Sequence, residues 1–266
     1  YSLTQCPRHK RWFSCECVND KRGQMNTDQK LDALRSQMRA AGVHAYLVPG
    51  TDPHQGEYVP QCWQRREWVS GFTGSAGELV VSLDDACLWT DGRYFLQAEN
   101  ELADSGIQLM RMGEPGVASV ETHLVSTLQA GQRVGVDPHL LSIGRARSLR
   151  AALSDSGVEL TCLDGTLVDA IWNDRAALPC GRVRALPTRF TGEAVTQKLK
   201  RVAKAVTSVG ADAHVVTMLD SIAWLFNIRG TDVDFNPVTL SYAIVTGEGA
   251  TLFIDDAKLS AAVRRH

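Results

Sequence analysis

The sequence predicts a mixed α/β fold arranged as two tandem domains of one plan, the second of them cut short. Helix and strand patterns alternate along the first part of the chain, and the same order of elements then recurs. The stretch between the two parts contains Pro and Gly, as expected for a linker. With 266 residues, 44% of them hydrophobic, the chain is long enough for two cored domains. We therefore predict domains at residues 25–175 and 189–266, joined by a linker at 176–188.

The first copy begins with an amphipathic helix. Leu31, Leu34 and Met38 recur at helical spacing after Thr27, a predicted N-cap, and Gly42 is the predicted stop. The elements predicted after this helix are a strand at 45–49, a hairpin at 77–82 and 86–90, helices near 94–103, 120–128 and 143–153, and strands at 107–112, 133–137 and 158–163. Strands separated by helices indicate a largely parallel sheet that contains one antiparallel hairpin.

The second copy repeats the first as far as its hairpin. The repeated elements are a helix at 193–206, a strand at 213–217 and a hairpin at 242–246 and 250–255. The spacing from Ala45 to Asp52 equals that from Ala213 to Asp220. A period of roughly 160 residues is far longer than a solenoid repeat, so the duplication indicates two domains.

The two copies differ after Asp91 and its counterpart Asp255. The first copy continues through further helices and strands, whereas only residues 256–266 come after Asp255. A domain built on the first plan would then lack the helices that cover its sheet. We therefore expect apolar strands of the second copy to lie exposed, and we expect the chain to be part of a longer protein.

The composition argues against several classes of function. Lys and Arg number 28 against 30 Asp and Glu, and no basic stripe occurs, so we expect no nucleic-acid partner. No stretch approaches the roughly 18 uninterrupted apolar residues of a membrane span, so we expect no membrane partner. Seven cysteines scattered without a CxxC pair suit a reducing compartment, which makes a cytoplasmic location the default expectation.

Residues 1–24 differ in character from the rest of the chain. They mix charges, Cys and Trp, and Met25 stands directly before the first helix. We interpret them as a disordered extension and Met25 as the native start. Residues that could surround a zinc ion occur there at a spacing that matches no standard zinc module: Cys6, His9, Cys15 and Cys17.

Several patterns look catalytic but have simpler structural explanations. Gly74–Gly77 fails the G-x-S-x-G spacing of a nucleophile elbow and is predicted to be a loop. Asp52-Pro53-His54 and Asp137-Pro138-His139 each come after a strand, where Asp-Pro is common in turns, so we interpret both as turns rather than metal ligands or acid/base pairs. Arg229–Asp232 comes after an apolar segment and is interpreted as structural. The dispersed histidines do not assemble a complete hydrolytic metal site.

Arg93 is the strongest candidate for ligand binding. It comes after the tight Asp91-Gly92 turn and precedes Tyr94 and Phe95, whose burial would hold the guanidinium in one place. The planar fork of arginine suits recognition of a carboxylate or carbonyl group. A local ion pair with Asp91 is the alternative. The second copy keeps the Asp but has no Gly-Arg, so the fold does not require this arginine.

Several long motifs resemble the N-terminal region of the three-domain Xaa-Pro aminopeptidases, also called aminopeptidase P. The motifs are DPHQGEY at 52–58, Arg65-Arg66, VSGFTGSAG at 69–77, WTDGRYF at 89–95, VGVDP at 134–138, IWNDR at 171–175 and LDSIAWLFNIRGTDV at 219–233. The resemblance runs from about Leu31 to Ala257 and does not include residues 1–24. It implies two tandem creatinase-N-terminal-like α/β domains with mixed sheets, the second truncated.

The resemblance also implies an activity for the parent protein. Such enzymes are metallopeptidases that release the N-terminal residue from peptides with proline in second position. Their metal ligands, two Asp, one His and two Glu, hold two ions, usually Mn²⁺, in a C-terminal pita-bread domain that is absent here. No catalytic residue, metal ligand or bound cofactor is therefore expected in this chain, and the chain alone is expected to be inactive.

Arg93 is the one site residue that the resemblance transfers to this chain. In the family the arginine of the TDGR motif reaches the peptide-binding region, so Arg93 is the expected substrate contact. The N-terminal domains also help to form a homodimer and restrict the cleft to short peptides. Two alternatives stay open: part of a creatinase- or prolidase-type C–N hydrolase, or a stand-alone, non-catalytic binding or dimerisation module.

Overall fold

The computed structural model describes residues 25–266. The interpretation of residues 1–24 as an extension, and the zinc alternative at their cysteines, lie outside this range. The described residues divide into two compact units, 25–176 and 177–266. Neither contains a helix that is long and apolar enough to cross a membrane. The exact boundaries of the two domains and their linker stay a prediction.

The first unit contains the predicted helices and strands in the predicted order, with one helix, Arg65–Ser70, that was not predicted. Its helices are α1 (Thr27–Ala41), α2 (Arg65–Ser70), α3 (Phe95–Glu101), α4 (Val120–Thr127) and α5 (Ile143–Ser154). Its strands are β1 (Ala45–Pro49), β2 (Glu78–Ser82), β3 (Ala86–Thr90), β4 (Gln108–Arg111), β5 (Arg133–Val136) and β6 (Glu159–Cys162).

The six strands form one mixed sheet in the order β4-β3-β2-β1-β5-β6. β2 is antiparallel to both of its neighbours, and the other three pairings are parallel, which confirms the predicted sheet. Because side chains alternate along a strand, Tyr46 and Val48 enter a core with α1, α2 and α3. Ala45 and Leu47 enter a second core with α4 and α5. The unit therefore has three layers, with helices on both faces of the sheet.

The N-cap of the first helix lies one residue earlier than predicted. Asn26, not Thr27, is the N-cap: its side chain accepts a hydrogen bond from the backbone N–H of Gln29 at 2.9 Å. The Gln29 side chain accepts the Asn26 N–H in return, at 3.0 Å. Both Asn and Thr are good caps, and the Gln three residues after Asn26 selects Asn26 by completing a capping box. Gly42 ends the helix as predicted, in a left-handed conformation with φ 64°.

The second unit contains a shorter set of elements. Its helices are α6 (Thr188–Thr191), α7 (Val195–Ser208), α8 (Leu219–Leu225) and α9 (Ala261–Arg265). Its strands are β7 (Arg184–Ala185), β8 (Ala213–Val216), β9 (Ile228–Arg229), β10 (Ser241–Thr246) and β11 (Gly249–Ile254). The main sheet has the order β11-β10-β8, and β7 pairs with β9.

Matching contacts in the two units support the predicted duplication. The antiparallel order β11-β10-β8 repeats the order β3-β2-β1. In the first unit, Lys30 donates to the backbone carbonyl of Trp68 at 2.7 Å and lies over its ring at 4.8 Å. In the second, Lys198 donates to the carbonyl of Trp224 at 2.9 Å and lies over its ring at 4.4 Å. A helix-to-tryptophan contact of the same kind therefore occurs in both copies.

The sheet of the second unit buries one face and exposes apolar side chains on the other. Val216, Ala243 and Val245 pack in a core with α7 and α8. On the opposite face Val215 is 60% exposed and Tyr242 is 38% exposed. This exposure confirms the expectation that apolar strands of the second copy are left uncovered.

Candidate functional site

Three loops meet at one edge of the six-stranded sheet. β1 and β3 run in the same direction, since each is antiparallel to β2, so both end where β2 begins. The loops are 50–58 after β1, 71–77 before β2 and 91–94 after β3. In open α/β sheets, ligands commonly bind beyond the carboxyl ends of the strands. This edge is therefore the candidate functional site of the first unit.

The buried guanidinium of Arg66 holds the 71–77 loop from inside. Arg66, on α2, donates to the backbone carbonyls of Gly74 and Gly77, the latter at 3.3 Å, and lies 4.9 Å from the centre of the Phe72 ring. Burial lowers the pKa of Arg66 to about 10, so the side chain is still charged at neutral pH. A Cβ atom at Gly50 would lie 2.8 Å from the Arg66 guanidinium, so this close approach of the first loop requires glycine.

Side chains of the third loop and of α3 hold the same segment from outside. The Tyr94 hydroxyl lies 2.7 Å from the Ser75 hydroxyl, and its ring meets Phe72 edge-on. The backbone N–H and the hydroxyl of Thr73 donate to the Glu101 carboxylate at 2.9 and 2.6 Å. The loop is thus fixed on both sides before any ligand binds.

Arg93 lies on this fixed base with its side chain 69% exposed. Its Nε and one terminal nitrogen donate to the two oxygens of Asp91 at 2.9 and 2.8 Å, and its guanidinium lies 5.2 Å from the centre of the half-buried Tyr94 ring. These hydrogen bonds raise the pKa of Arg93 and lower the pKa of Asp91, and the charge of Glu57 on the 50–58 loop acts on Arg93 in the same direction. Arginine has five N–H donors, so a pair with Asp91 leaves capacity for a further acceptor.

The turn that carries Arg93 does not depend on the arginine side chain. Asp91 accepts a hydrogen bond from the backbone N–H of Arg93 at 3.0 Å. At the corresponding place in the second unit, Asp255 accepts one from the backbone N–H of Ala257 at 2.9 Å. The same aspartate turn therefore forms with alanine in the position of Arg93. The ion pair with Asp91, which was the alternative explanation, exists, but the turn does not require it.

The other patterns that resembled catalytic motifs form the turns and the loop that were predicted. The backbone N–H groups of His54 and His139 each donate at 2.9 Å to the aspartate two residues earlier, which makes both tripeptides turns. The His139 ring nitrogen also lies 2.9 Å from the Asp137 carboxylate. Asp232 is buried in an ion pair with Lys258 at 2.6 Å. Gly74–Gly77 is a loop with no helix after it.

Two features of the first unit are not evident from the sequence. In the sequence, Arg66 is noticed only as part of the Arg65-Arg66 motif. An arginine pair close to a glycine-rich segment could have indicated that one of the arginines binds that segment. A cluster of Asp85, Cys87 and His123 gives no sequence signal, because the hairpin and α4 that bring these residues together are far apart along the chain. Their metal-binding atoms all lie within 4.8 Å of one another.

The geometry defines a class of protein that contains two copies of one α/β domain. In the first copy, the loops at one edge of the sheet are held in place by contacts within the unit. The chain belongs to the creatinase/prolidase N-terminal domain family. One model of this domain matches residues 30–171, and a second model of it matches residues 174–266. Both copies inferred from the sequence therefore correspond to this domain.

Similar proteins include named peptidases. The chain is 41% identical over 245 residues to a probable Xaa-Pro aminopeptidase P of Penicillium rubens, across 92% of this chain. It is 42% identical to aminopeptidase P2 of Arabidopsis thaliana, across 90% of this chain. Among solved structures, X-prolyl aminopeptidase of Caenorhabditis elegans, a cytosolic enzyme with a di-nuclear active site, matches 91% of this chain with 36% identity and a TM-score of 0.87.

The matched region is a minor part of each of these proteins. The chain spans 40% of the Penicillium protein, 34% of the Arabidopsis protein and 41% of the Caenorhabditis chain. The similarity therefore establishes the fold and the family of this chain.

Proposed function

We propose that this chain is the N-terminal part of a metal-dependent Xaa-Pro aminopeptidase, which releases the N-terminal residue from peptides with proline in second position. The observation that carries the proposal is the match to the Caenorhabditis enzyme, with a TM-score of 0.87 over 91% of the chain. The Penicillium and Arabidopsis relatives, both named as aminopeptidases of this type, support the same assignment over creatinase or prolidase.

The described residues, 25–266, do not fit the di-nuclear centre of such an enzyme. The family resemblance implies that five side chains, two Asp, one His and two Glu, hold the two ions. Among residues 25–266, the side chains grouped closely enough to share an ion are one carboxylate, one thiol and one imidazole. We therefore assign the catalytic metal ions, with Mn²⁺ as the expected metal, to a part of the parent protein outside this chain.

Within this chain, we propose that Arg93 contacts the peptide substrate. Its guanidinium is exposed, charged and supported by Tyr94, and the turn below it forms without it in the second unit. A carbonyl or carboxylate group of the peptide is the acceptor that this arrangement suits. Dimer formation by the parent, restriction of the cleft to short peptides and a cytoplasmic location complete the proposal, the last supported by the cytosolic Caenorhabditis relative.

The test of Arg93 is the Arg93→Ala variant of the parent protein. The matched control is Arg201→Ala, since Arg201, in the second unit, is also an exposed arginine that lies over a ring, that of Trp224, and pairs with a carboxylate, that of Glu193. Loss of a charged hydrogen bond to substrate should lower kcat/KM for an Xaa-Pro peptide roughly tenfold to a hundredfold. The control should keep the wild-type value. Equal kinetics for Arg93→Ala and wild type, with both folded, would reject the role of Arg93.

A further inference from the structure

Asp85, Cys87 and His123 bring three kinds of metal-binding group together in the first unit. A carboxylate oxygen, a thiol sulfur and an imidazole nitrogen all lie within 4.8 Å of one another. The His123 Nε2 and an Asp85 carboxylate oxygen are 4.0 Å apart. All three side chains lie outside the loop edge that carries Arg93, and one Asp85 oxygen also accepts a hydrogen bond from the Ser82 hydroxyl.

Regular elements of the fold hold the cluster in place. Asp85 lies directly before β3 and Cys87 within it, two residues on, so both side chains point to the face of the sheet covered by α4. His123 is on α4, and its ring packs edge-on against Trp89 with 5.1 Å between ring centres. Sites carried by helices and strands keep their geometry better than sites on loops.

The cluster is closed on one side and open on the other. Cys87 is 1% exposed, and burial together with the charge of Asp85 raises the pKa of its thiol to about 11. The side-chain oxygen of Gln108, on the neighbouring strand β4, lies 3.9 Å from the Cys87 sulfur. The Asp85 side chain is 47% exposed, so an ion can reach the cluster from solvent on that side.

We propose that Asp85, Cys87 and His123 bind one Zn²⁺ ion, with Gln108 as a fourth, oxygen donor. A mixed set of sulfur, nitrogen and oxygen donors suits Zn²⁺, whereas Mg²⁺ and Mn²⁺ favour oxygen. Ligand atoms at zinc distances of about 2.0 to 2.3 Å in a tetrahedron lie roughly 3.3 to 3.8 Å apart. Because the ligand atoms lie up to 4.8 Å apart, pairs in the cluster must close by up to about 1 Å when the ion binds.

Binding of the ion is coupled to one proton. The Cys87 thiol loses its proton to solvent as the sulfur–zinc bond forms, so zinc binding strengthens as pH rises. The bound ion would join the turn between β2 and β3 to α4. Zinc should therefore raise the unfolding temperature of the first unit.

The test measures zinc binding by the 266-residue chain with Cys6, Cys15 and Cys17 replaced by serine, so that the N-terminal cysteines cannot contribute. Equilibrium dialysis should find one Zn²⁺ per chain. Co²⁺ in place of Zn²⁺ should give a thiolate-to-metal charge-transfer band. Cys87→Ser and His123→Gln should each raise the Kd for Zn²⁺ by about tenfold to a hundredfold or more. Removing a group that only orients a metal ligand already has an effect of about that size. Cys162→Ser, at an exposed cysteine elsewhere, is the matched control and should bind as the background does.

The competing explanation is an Asp85–His123 ion pair beside a buried thiol, with no metal. It predicts no bound Zn²⁺ and no thiolate band with Co²⁺, and either result would overturn the proposal. Binding that is unchanged in His123→Gln would also overturn it. If Cys87→Ser fails to fold by circular dichroism, His123→Gln and the Co²⁺ band of the background protein decide the question.

Discussion

Replacing Lys258 by methionine should strongly destabilise the second unit. The Lys258 ammonium lies 2.6 Å from an Asp232 oxygen, and their side chains are 4% and 0% exposed. The same Asp232 oxygen accepts from the Thr239 hydroxyl at 2.8 Å and from the backbone N–H of Leu240 at 2.7 Å. The variant leaves these neutral donors in place but removes the positive charge that pairs with the buried carboxylate.

The loss of stability should be large because both charged side chains are buried. Removing one partner of a buried ion pair costs about 3 to 5 kcal/mol, since the other charge is left without compensation. For a unit of this size each kcal/mol lowers the melting temperature by about 4 to 8 °C, so a fall of at least about 12 °C is expected. Arg264→Met is the control, because its pair with Asp256 is 36% and 55% exposed and should contribute about 1 kcal/mol or less.

Hydrogen exchange of peptides within residues 177–266 measures this loss where it occurs. Amides of the second unit exchange through local unfolding. In Lys258→Met the free energy of that local unfolding should be about 3 to 5 kcal/mol lower than in the wild type. Adding Asp232→Asn removes the orphaned charge and should restore part of the protection, which a double-mutant cycle would show as coupling. If Lys258→Met behaves like Arg264→Met, the buried pair does not support this unit as described.

Two further predictions concern the first unit. Arg66→Leu removes a charged donor from the carbonyls of Gly74 and Gly77, which should lower the free energy of unfolding by about 2 to 4 kcal/mol after allowance for the guanidinium desolvation that is regained. Urea unfolding measures this, and a change no larger than that of Arg93→Ala would contradict it. The second prediction is a pH effect: because the folded pKa of Cys87 is raised to about 11 from 9.0, its contribution to stability should be present below pH 9 and be lost as pH rises toward 11. With a chelator present, the free energy of unfolding should fall less between pH 9 and pH 11 in Cys87→Ala than in Cys162→Ala. The same pH dependence in both variants would refute the prediction.

The main elements of the fold could be predicted because their signals are local. Leu31, Leu34 and Met38 mark the buried face of α1, and all three are buried in the structure. The strand predicted at Ala45–Pro49 is β1 without change of bounds. The duplication was visible because each copy repeats the same strand, turn and hairpin spacing.

The polar contacts could not be predicted, since they join residues through the fold rather than along the chain. A sequence pattern does not show that Arg66 reaches the carbonyl of Gly77 or that Lys258 pairs with Asp232. Asp85, Cys87 and His123 likewise meet only because α4 packs on the hairpin. Arg93 lies between these cases: its turn is local, but its role as a substrate contact depends on family resemblance and stays a prediction.

The proposal that this chain is the non-catalytic N-terminal part of an Xaa-Pro aminopeptidase is tested most directly by comparing two purified proteins on one substrate. The parent protein and the 266-residue chain would each be assayed with Mn²⁺ for release of the first residue from an Xaa-Pro peptide and from an Xaa-Ala peptide. We expect the parent to cleave the Xaa-Pro peptide preferentially and the chain alone to cleave neither. Cleavage by the chain alone, or a parent without preference for proline in second position, would contradict the proposal.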